Sequence, residues 1–299
     1  MDLLKFFSIK QNRINNFMFA LLETLPFQDT LLVDAMKYGV LLGGKRIRPV
    51  LMYIIGKMFQ VNLNVVDVLA SSIEFMHAYS LIHDDLPSLD NDILRRGQDS
   101  CHIKFGESTA ILAGNSLQCL AFNILSRLDK FKISNARKIK IILELSSSAG
   151  VHGMCAGQFF DLSLKNTSVK PFELEQMYLY KTGSLINSSV RLVVISSKIF
   201  KKKFLFSLEQ YVKNISLAFQ IQDDILDFID DKNCKNTSVH YSNCSKTHTF
   251  PLMFGLQESQ RKLKILYKNS LAYLKNLSNE SIDIRLLEKL AYYIITRVK

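Results

Sequence analysis

Carboxylates gather at two places in this chain, Asp84-Asp85-Leu86-Pro87-Ser88-Leu89-Asp90 and Asp223-Asp224-Ile225-Leu226-Asp227. Each group closes a strongly apolar stretch, 75–82 and 215–221. Acidic clusters do not normally decorate buried faces, because an unpaired buried carboxylate is expensive. Carboxylates gathered without compensating bases favour a hard divalent cation bound through oxygen, and Mg²⁺ held this way keeps its other positions for water and substrate phosphates. The two motifs therefore predict metal-binding walls around a phosphorylated ligand.

Asp223 and Asp227 are four apart and Gln220 precedes Asp223 by three, so on a helix the three share a face, while Asp224 points about a quarter-turn away. An exposed acidic helix end is the alternative, and Phe219, Ile221, Ile225, Leu226 and Phe228 oppose it. In the first motif Pro87 lies between Asp84 and Asp90. Proline interrupts the helical ladder, so the backbone is expected to loosen there and let the two carboxylates converge. Arg95 and Arg96 follow, with forked donors suited to phosphate oxygens. In isolation this motif reads equally as a surface turn with self-compensating charges. In Gly43-Gly44-Lys45-Arg46-Ile47-Arg48-Pro49, glycines beside three cations let the backbone approach an anion. The Walker spacing is missing, and a basic helix start is the competing reading. Lys181-Thr182-Gly183 places a cation, a hydroxyl and a flexible residue inside a helical stretch, which alone says almost nothing.

The elements that must position these groups read as helices. Apolar positions recur at three- and four-residue spacing with little alternation, and only 12 Gly and 5 Pro interrupt 299 residues. Helices are expected near 10–24, 30–42, 47–60, 65–85, 108–128, 136–160, 172–200, 204–229, 251–275 and 283–297, an all-α chain. Segments 68–83 and 215–229 are apolar nearly all round, as at the centre of a bundle. Pro26, Pro49, Pro171 and Pro251 fall at helix starts or connections. The polar stretch 230–248 reads as a loop of the length that often forms a lid. No linker is evident, so 1–299 is expected to be a single domain.

An apolar fraction of 48% excludes general disorder. The formal charge of +11 comes from scattered Lys rather than an Arg stripe interleaved with aromatics, which speaks against nucleic acid as a partner. Cys101, Cys119, Cys155, Cys234 and Cys244 are odd in number and widely spaced, as in a reducing cytoplasm. The first residues are too interrupted for a signal peptide. No uninterrupted apolar run approaches the roughly 18 residues of a transmembrane segment, and the last residues carry no prenylation signal. A soluble cytoplasmic protein is expected.

Together the four clusters are far more specific than any one. The order Gly-Gly-Lys-Arg-Ile-Arg-Pro, His-Ala-Tyr-Ser-Leu-Ile-His-Asp-Asp, Arg95-Arg96-Gly97, Lys181-Thr182-Gly183 and Phe219-Gln220-Ile221-Gln222-Asp223-Asp224 resembles the trans-isoprenyl diphosphate synthases. Within them it is most similar to the bacterial farnesyl diphosphate synthases, from about Pro26 to Ile295. The resemblance implies an all-α isoprenoid-synthase-type helical bundle around a deep central cavity, usually a homodimer. It implies Mg²⁺, two or three ions with the allylic diphosphate, on Asp84, Asp90 and Asp223, with Asp85, Asp224 and Asp227 supporting. Arg95, Lys181, Thr182 and Gln220 match positions near the allylic diphosphate. Lys45, Arg48, His77 and Arg96 match the isopentenyl diphosphate pocket. Thr237 and Thr247 stand where the family carries lysines, with Lys235 and Lys246 close by, and Asn115 stands where a family Asp is usual. An aromatic at Tyr79 accompanies fifteen-carbon products, with Ser80 and Met76 the next candidates for the chain-length floor.

The implied reaction joins isopentenyl diphosphate to dimethylallyl or geranyl diphosphate. A class I terpene cyclase on the same fold is opposed by the Gly-Gly-Lys-Arg cluster and His77, since a cyclase needs no second diphosphate site. A catalytically silent partner subunit is opposed by the presence of Asp84, Asp90, Asp223, Arg95 and Lys181.

Overall fold

The computed structural model describes residues 2–164, 169–234, 248–278, 280 and 282–298, with backbone alone at 231–234. The chain is a helical bundle whose described strands form one two-stranded hairpin. It divides into two compact units, 1–146 with 189–199 and 147–188 with 200–299.

The first unit contains α1 (Leu3–Glu23), α2 (Leu31–Leu41), α3 (Ile47–Met58), α4 (Leu63–Asp84), β1 (Leu94–Arg95), β2 (Gln98–Asp99), α5 (Cys101–Phe105), α6 (Glu107–Ser126) and most of α7 (Asn135–Ala149). At its centre α4 packs against α1, α2, α3 and α6. The helix starts at Asn62, whose side chain accepts the Asn64 backbone N–H. Residues from Val65 to Ile82 are buried on almost every side, as their apolar surround predicts. Its buried carboxylates are paired: Asp67 accepts from Arg13 at 2.8 Å and from the Tyr53 hydroxyl at 2.6 Å, and Glu74 from Arg46 at 2.7 Å.

The second unit contains α8 (Met154–Leu164), α9 (Pro171–Tyr178), a π-helical turn (Leu179–Gly183), the first half of α10 (Ser184–Ser196), α11 (Leu205–Cys234), α12 (Phe250–Ser278) and α13 (Arg285–Thr296). Pro171 opens α9, where Glu173 accepts the Lys170 N–H. The α11 and α12 helices pack along one another, and the buried Tyr211 hydroxyl ties α11 to the Leu287 carbonyl at 2.8 Å. Gly255 breaks the helical path of α12 at φ 79°.

The expected helices are present, with instructive differences. The first begins at Leu3 rather than near residue 10, because Leu3, Phe6 and Phe7 extend the buried stripe. The expected helix 136–160 is two helices, parted at 150–153. The expected helix 172–200 contains the π-helical turn. The hairpin was not expected, and its turn is Arg96-Gly97, with φ 55° and 77°. Positive φ at both central residues is the demand of a two-residue type I′ turn. Two helices also pass a length-and-hydropathy test for crossing a membrane, α4 and α6, with 78% and 39% of the tested window packed inside the fold.

The α8 helix meets the π-helical turn at Gly157, where a Cβ would stand 2.0 Å from the Lys181 backbone nitrogen. Gly157→Ala is expected to destabilise the protein by about 3 kcal/mol, since backbone cannot yield as a side chain does. Gly56→Ala, which meets only the Val66 side chain, should cost less. Thermal melts of the two variants beside the parent check the order.

Candidate active site

In the first unit α4 ends at Asp84, and the chain folds back so that the Asp90 N–H donates to the Asp84 carbonyl at 2.9 Å. Leu89 and Asn91 both donate to Leu86, closing the turn around Pro87. The loosening expected at proline thus brings the backbones of Asp84 and Asp90 together. Asp84 and Asp90 are half-buried, whereas Asp85 is 1% exposed and accepts a two-pronged contact from Arg95. Burial pushes the Asp85 carboxyl upward against the pull of Arg95. Arg95 also reaches Asp92 at 3.2 Å.

The type I′ turn aims the next residue elsewhere. Arg96 donates to the Gly43 carbonyl, and its guanidinium lies against Gly44, where a Cβ would meet it at 2.7 Å. Gly43 and Gly44 hold φ of 101° and 114°, a backbone conformation that calls for glycine at both. Arg48, on the first turn of α3, has a buried Nε with no hydrogen-bond partner among the described residues. Burial lowers its pKa, with Glu74 opposing. His77 is held neutral: burial, then Arg48, Arg96, Arg46 and Arg95, push its pKa well below the usual imidazole value. Arg48, His77 and Arg96 thus belong to one cationic neighbourhood, and Lys45 adjoins it in sequence. On the same helix Tyr79 packs edge-to-face on His83, with ring centroids 5.0 Å apart. The adjacent Ser80 turns its hydroxyl to the His77 carbonyl, and Met76 is fully buried.

In the second unit the π-helical turn presents Lys181 and Thr182 in different directions. Lys181 Nζ donates to Asp161 at 2.6 Å, and the Thr182 hydroxyl donates to the Gln220 carbonyl oxygen at 3.2 Å. Gln220 passes the chain on through its Nε2 to Asp224 at 3.3 Å. Asp224, 1% exposed, also accepts from the Tyr178 hydroxyl and the Phe250 N–H. Burial and then Asp224 raise the Tyr178 pKa, which keeps this donor protonated. Asp223 and Asp227 are more exposed, and Asp223 receives Arg297 Nη2 at 2.6 Å. Arg297 is itself buried, stacked 4.1 Å over the Phe219 ring, and its backbone carbonyl accepts from Gln222.

Three residues of these networks, Asp161, Tyr178 and Arg297, and the nearby Gln158 of α8 escaped the sequence reading. Gln158 and Asp161 are three apart on α8, a polar pair within an apolar stretch, which was the available signal. Both polar side-chain atoms of Gln158 are buried without a partner among the described residues, as for a group reserved for ligand or water. Tyr178 and Arg297 gave none. Thr237 and Thr247, with Lys235 and Lys246, lie outside the described residues. Asn115 is exposed on α6.

Among the described residues no three His, Cys, Asp or Glu side chains are grouped to hold a metal ion by themselves. The oxygen-only donors fit a hard cation that takes one or two carboxylates and completes its shell with water and phosphate.

Known proteins share this layout. The family model described as polyprenyl synthetase matches residues 29–281. Farnesyl diphosphate synthase of Buchnera aphidicola subsp. Acyrthosiphon pisum is 50% identical over 272 residues, 90% of this chain and 94% of that one. Farnesyl diphosphate synthase of Escherichia coli K12 is 46% identical over 275 residues, 92% of each chain. A solved geranyltransferase from Legionella pneumophila gives a TM-score of 0.87 at 33% identity, covering 99% of this chain and 97% of that one. With a family match that takes in both acidic motifs, the cationic loop and the π-helical turn, this chain belongs to the polyprenyl synthetase family.

Proposed function

We propose that this protein is a prenyltransferase making (2E,6E)-farnesyl diphosphate by head-to-tail (1'-4) condensation of isopentenyl diphosphate with dimethylallyl or geranyl diphosphate. The observation that carries this reading is the cationic neighbourhood of the first unit. Arg48 has a buried Nε with no partner among the described residues, and burial, then the surrounding guanidiniums, keep His77 neutral, surroundings suited to an anion. Its residues are distinct from Asp84 and Asp90, which supports a second diphosphate site where a cyclase needs one. The matched farnesyl diphosphate synthases support the same substrates.

In this reading Asp84, Asp90 and Asp223 hold Mg²⁺, with Asp85, Asp224 and Asp227 supporting. When bound with the allylic diphosphate, Mg²⁺ supplies Lewis-acid neutralisation of the leaving group. Arg95 and Lys181 add positive charge where the departing diphosphate accumulates it, and Thr182 and Gln220 orient its oxygens. Because Arg95 commits Nε and Nη2 to Asp85, Nη1 is the edge left for phosphate. Lys45, Arg48, His77 and Arg96 hold isopentenyl diphosphate so that its double bond attacks the allylic C1. The C–O bond breaks, a C–C bond forms, and the proton lost from the new carbocation passes to the released diphosphate. Apolar surroundings keep water from the carbocation. No protein nucleophile is required.

The two units act as one domain, a reading supported by the single family match through both. A homodimer accords with the exposed apolar residues Ile111 and Leu112 on α6 and Ile139 and Leu143 on α7. A cytoplasmic place accords with Cys101 and Cys119, which form no disulfide.

Incubation with Mg²⁺, geranyl diphosphate and isopentenyl diphosphate, followed by product extraction, tests the reaction. Asp84→Ala and Asp223→Ala should each lower turnover by at least about a hundredfold. Activity within tenfold of the parent would remove them from the metal site.

Arg48→Ala should weaken isopentenyl diphosphate far more than geranyl diphosphate, and separate titrations of the two substrates read the difference. Equal losses would contradict two independent pockets.

Tyr79 lies five residues before Asp84, about 7.5 Å along the helix. The growing tail runs down α4 from the metal-held diphosphate, and the Tyr79 ring, braced by His83, is its floor. A folded Tyr79→Ala should release some twenty-carbon product on chain-length analysis. If it still stops cleanly at fifteen carbons, Tyr79 is not the floor and attention moves to Ser80 and Met76.

A further inference from the structure

Arg46 lies between Lys45 and Arg48 but turns away from their task. It caps the start of α3 in the left-handed region, φ 51° and ψ 37°, a conformation that a side chain other than glycine, asparagine or aspartate rarely adopts. Its side chain is 4% exposed, and each guanidinium nitrogen is spent on a different helix. Nε donates to Asn15 of α1 at 3.0 Å, Nη2 to the Val40 carbonyl of α2 at 2.5 Å, and Nη1 to Glu74 of α4 at 2.7 Å. Glu74 is 3% exposed, and its field also steadies Arg48 and Arg96, for both of which it is the opposing carboxylate.

A buried ion pair of this kind is weak evidence for stability, because replacing both partners by apolar groups of similar volume is often neutral. Its geometry has another use. Three helices fix one guanidinium, that guanidinium fixes a strained backbone, and the strained backbone carries Lys45 on one side and Arg48 on the other. Strain of this sort persists only where the surroundings over-determine it.

We propose that Arg46 and Glu74 form a positioning pair for the isopentenyl diphosphate pocket. Arg46 pins the cationic loop, and Glu74 is the internal counter-charge that lets the guanidiniums assemble before their anion arrives. Neither touches substrate. The inference rests on the assignment of that pocket under Proposed function.

The test uses Arg46→Lys, which keeps charge but loses the fork, and the double variant Arg46→Met/Glu74→Met, which removes both charges at similar volume. Each is checked for fold by circular dichroism. Isopentenyl diphosphate and inorganic diphosphate are then titrated calorimetrically, and KM is measured for both substrates along with Mg²⁺-dependent hydrolysis of geranyl diphosphate alone. The folded double variant is expected to bind isopentenyl diphosphate about tenfold or more weakly, with KM for geranyl diphosphate and its hydrolysis nearly unchanged. Arg46→Lys should fall between it and the parent, and decides alone if the double variant does not fold. Unchanged isopentenyl diphosphate binding in a folded variant, or equal losses for both substrates, overturns the proposal. A parent that binds isopentenyl diphosphate without condensing it would defeat the proposed reaction while leaving the positioning pair standing. A parent that binds none defeats both.

Discussion

A carboxylate removed from water has to be paired, and this requirement organises both acidic motifs. In each Asp-Asp doublet the second aspartate is buried and the first is the more exposed. Asp85 takes Arg95, and Asp224 takes Tyr178, the Phe250 N–H and the Gln220 amide. One residue of the doublet thereby anchors its helix, and its neighbour is left more exposed on a fixed support. The arrangement follows from the angle of about 100° between successive helical residues. An apolar helix that carries two adjacent acids must turn one of them inward, and only a partnered acid survives there.

The same rule shows why the surrounding polar residues are where they are. Glu74 and Asp67 sit inside the most buried helix because Arg46, Arg13 and Tyr53 meet them. Thr182, Gln220 and Asp224 form a continuous hydrogen-bonded line in the second unit that ends on Tyr178, so orientation at the π-helical turn is transmitted to the first turn of α12. Such networks specify position when every member is satisfied. Buried polar atoms with no partner among the described residues stand out against this, Arg48 Nε, the Gln158 amide and Arg297 Nε and Nη1 among them.

Much of this was legible in the residues. The spacing of Asp223, Asp227 and Gln220, the apolar surround of 68–83 and the glycine pair beside three cations all act through local periodicity or backbone freedom, which a sequence displays. The hairpin was not seen, because its strands are two residues each and its turn uses Arg96 in a conformation normally given to Asn or Gly. Nor could periodicity reveal that Arg46 spends its guanidinium on three helices while the neighbouring Arg48 leaves its buried Nε without a partner among the described residues. Tyr178 and Arg297 were invisible for a related reason: each acts through a partner dozens of residues away, and nothing local marks them.

The π-helical turn at Leu179–Gly183 carries a consequence for how this chain can vary. A π-helical turn is an α-helix with one residue too many, so it acts as a phase shift between α9 and α10. Deleting any one residue there would restore a regular helix and rotate everything before it by about 100° relative to everything after. The regular helix would satisfy its own backbone at least as well. Yet Lys181 and Thr182 could no longer address Asp161 and Gln220 from the same turn. The segment is therefore a place where a single-residue deletion would leave the local backbone bonded yet turn the flanking faces, and the site's side chains, off their partners.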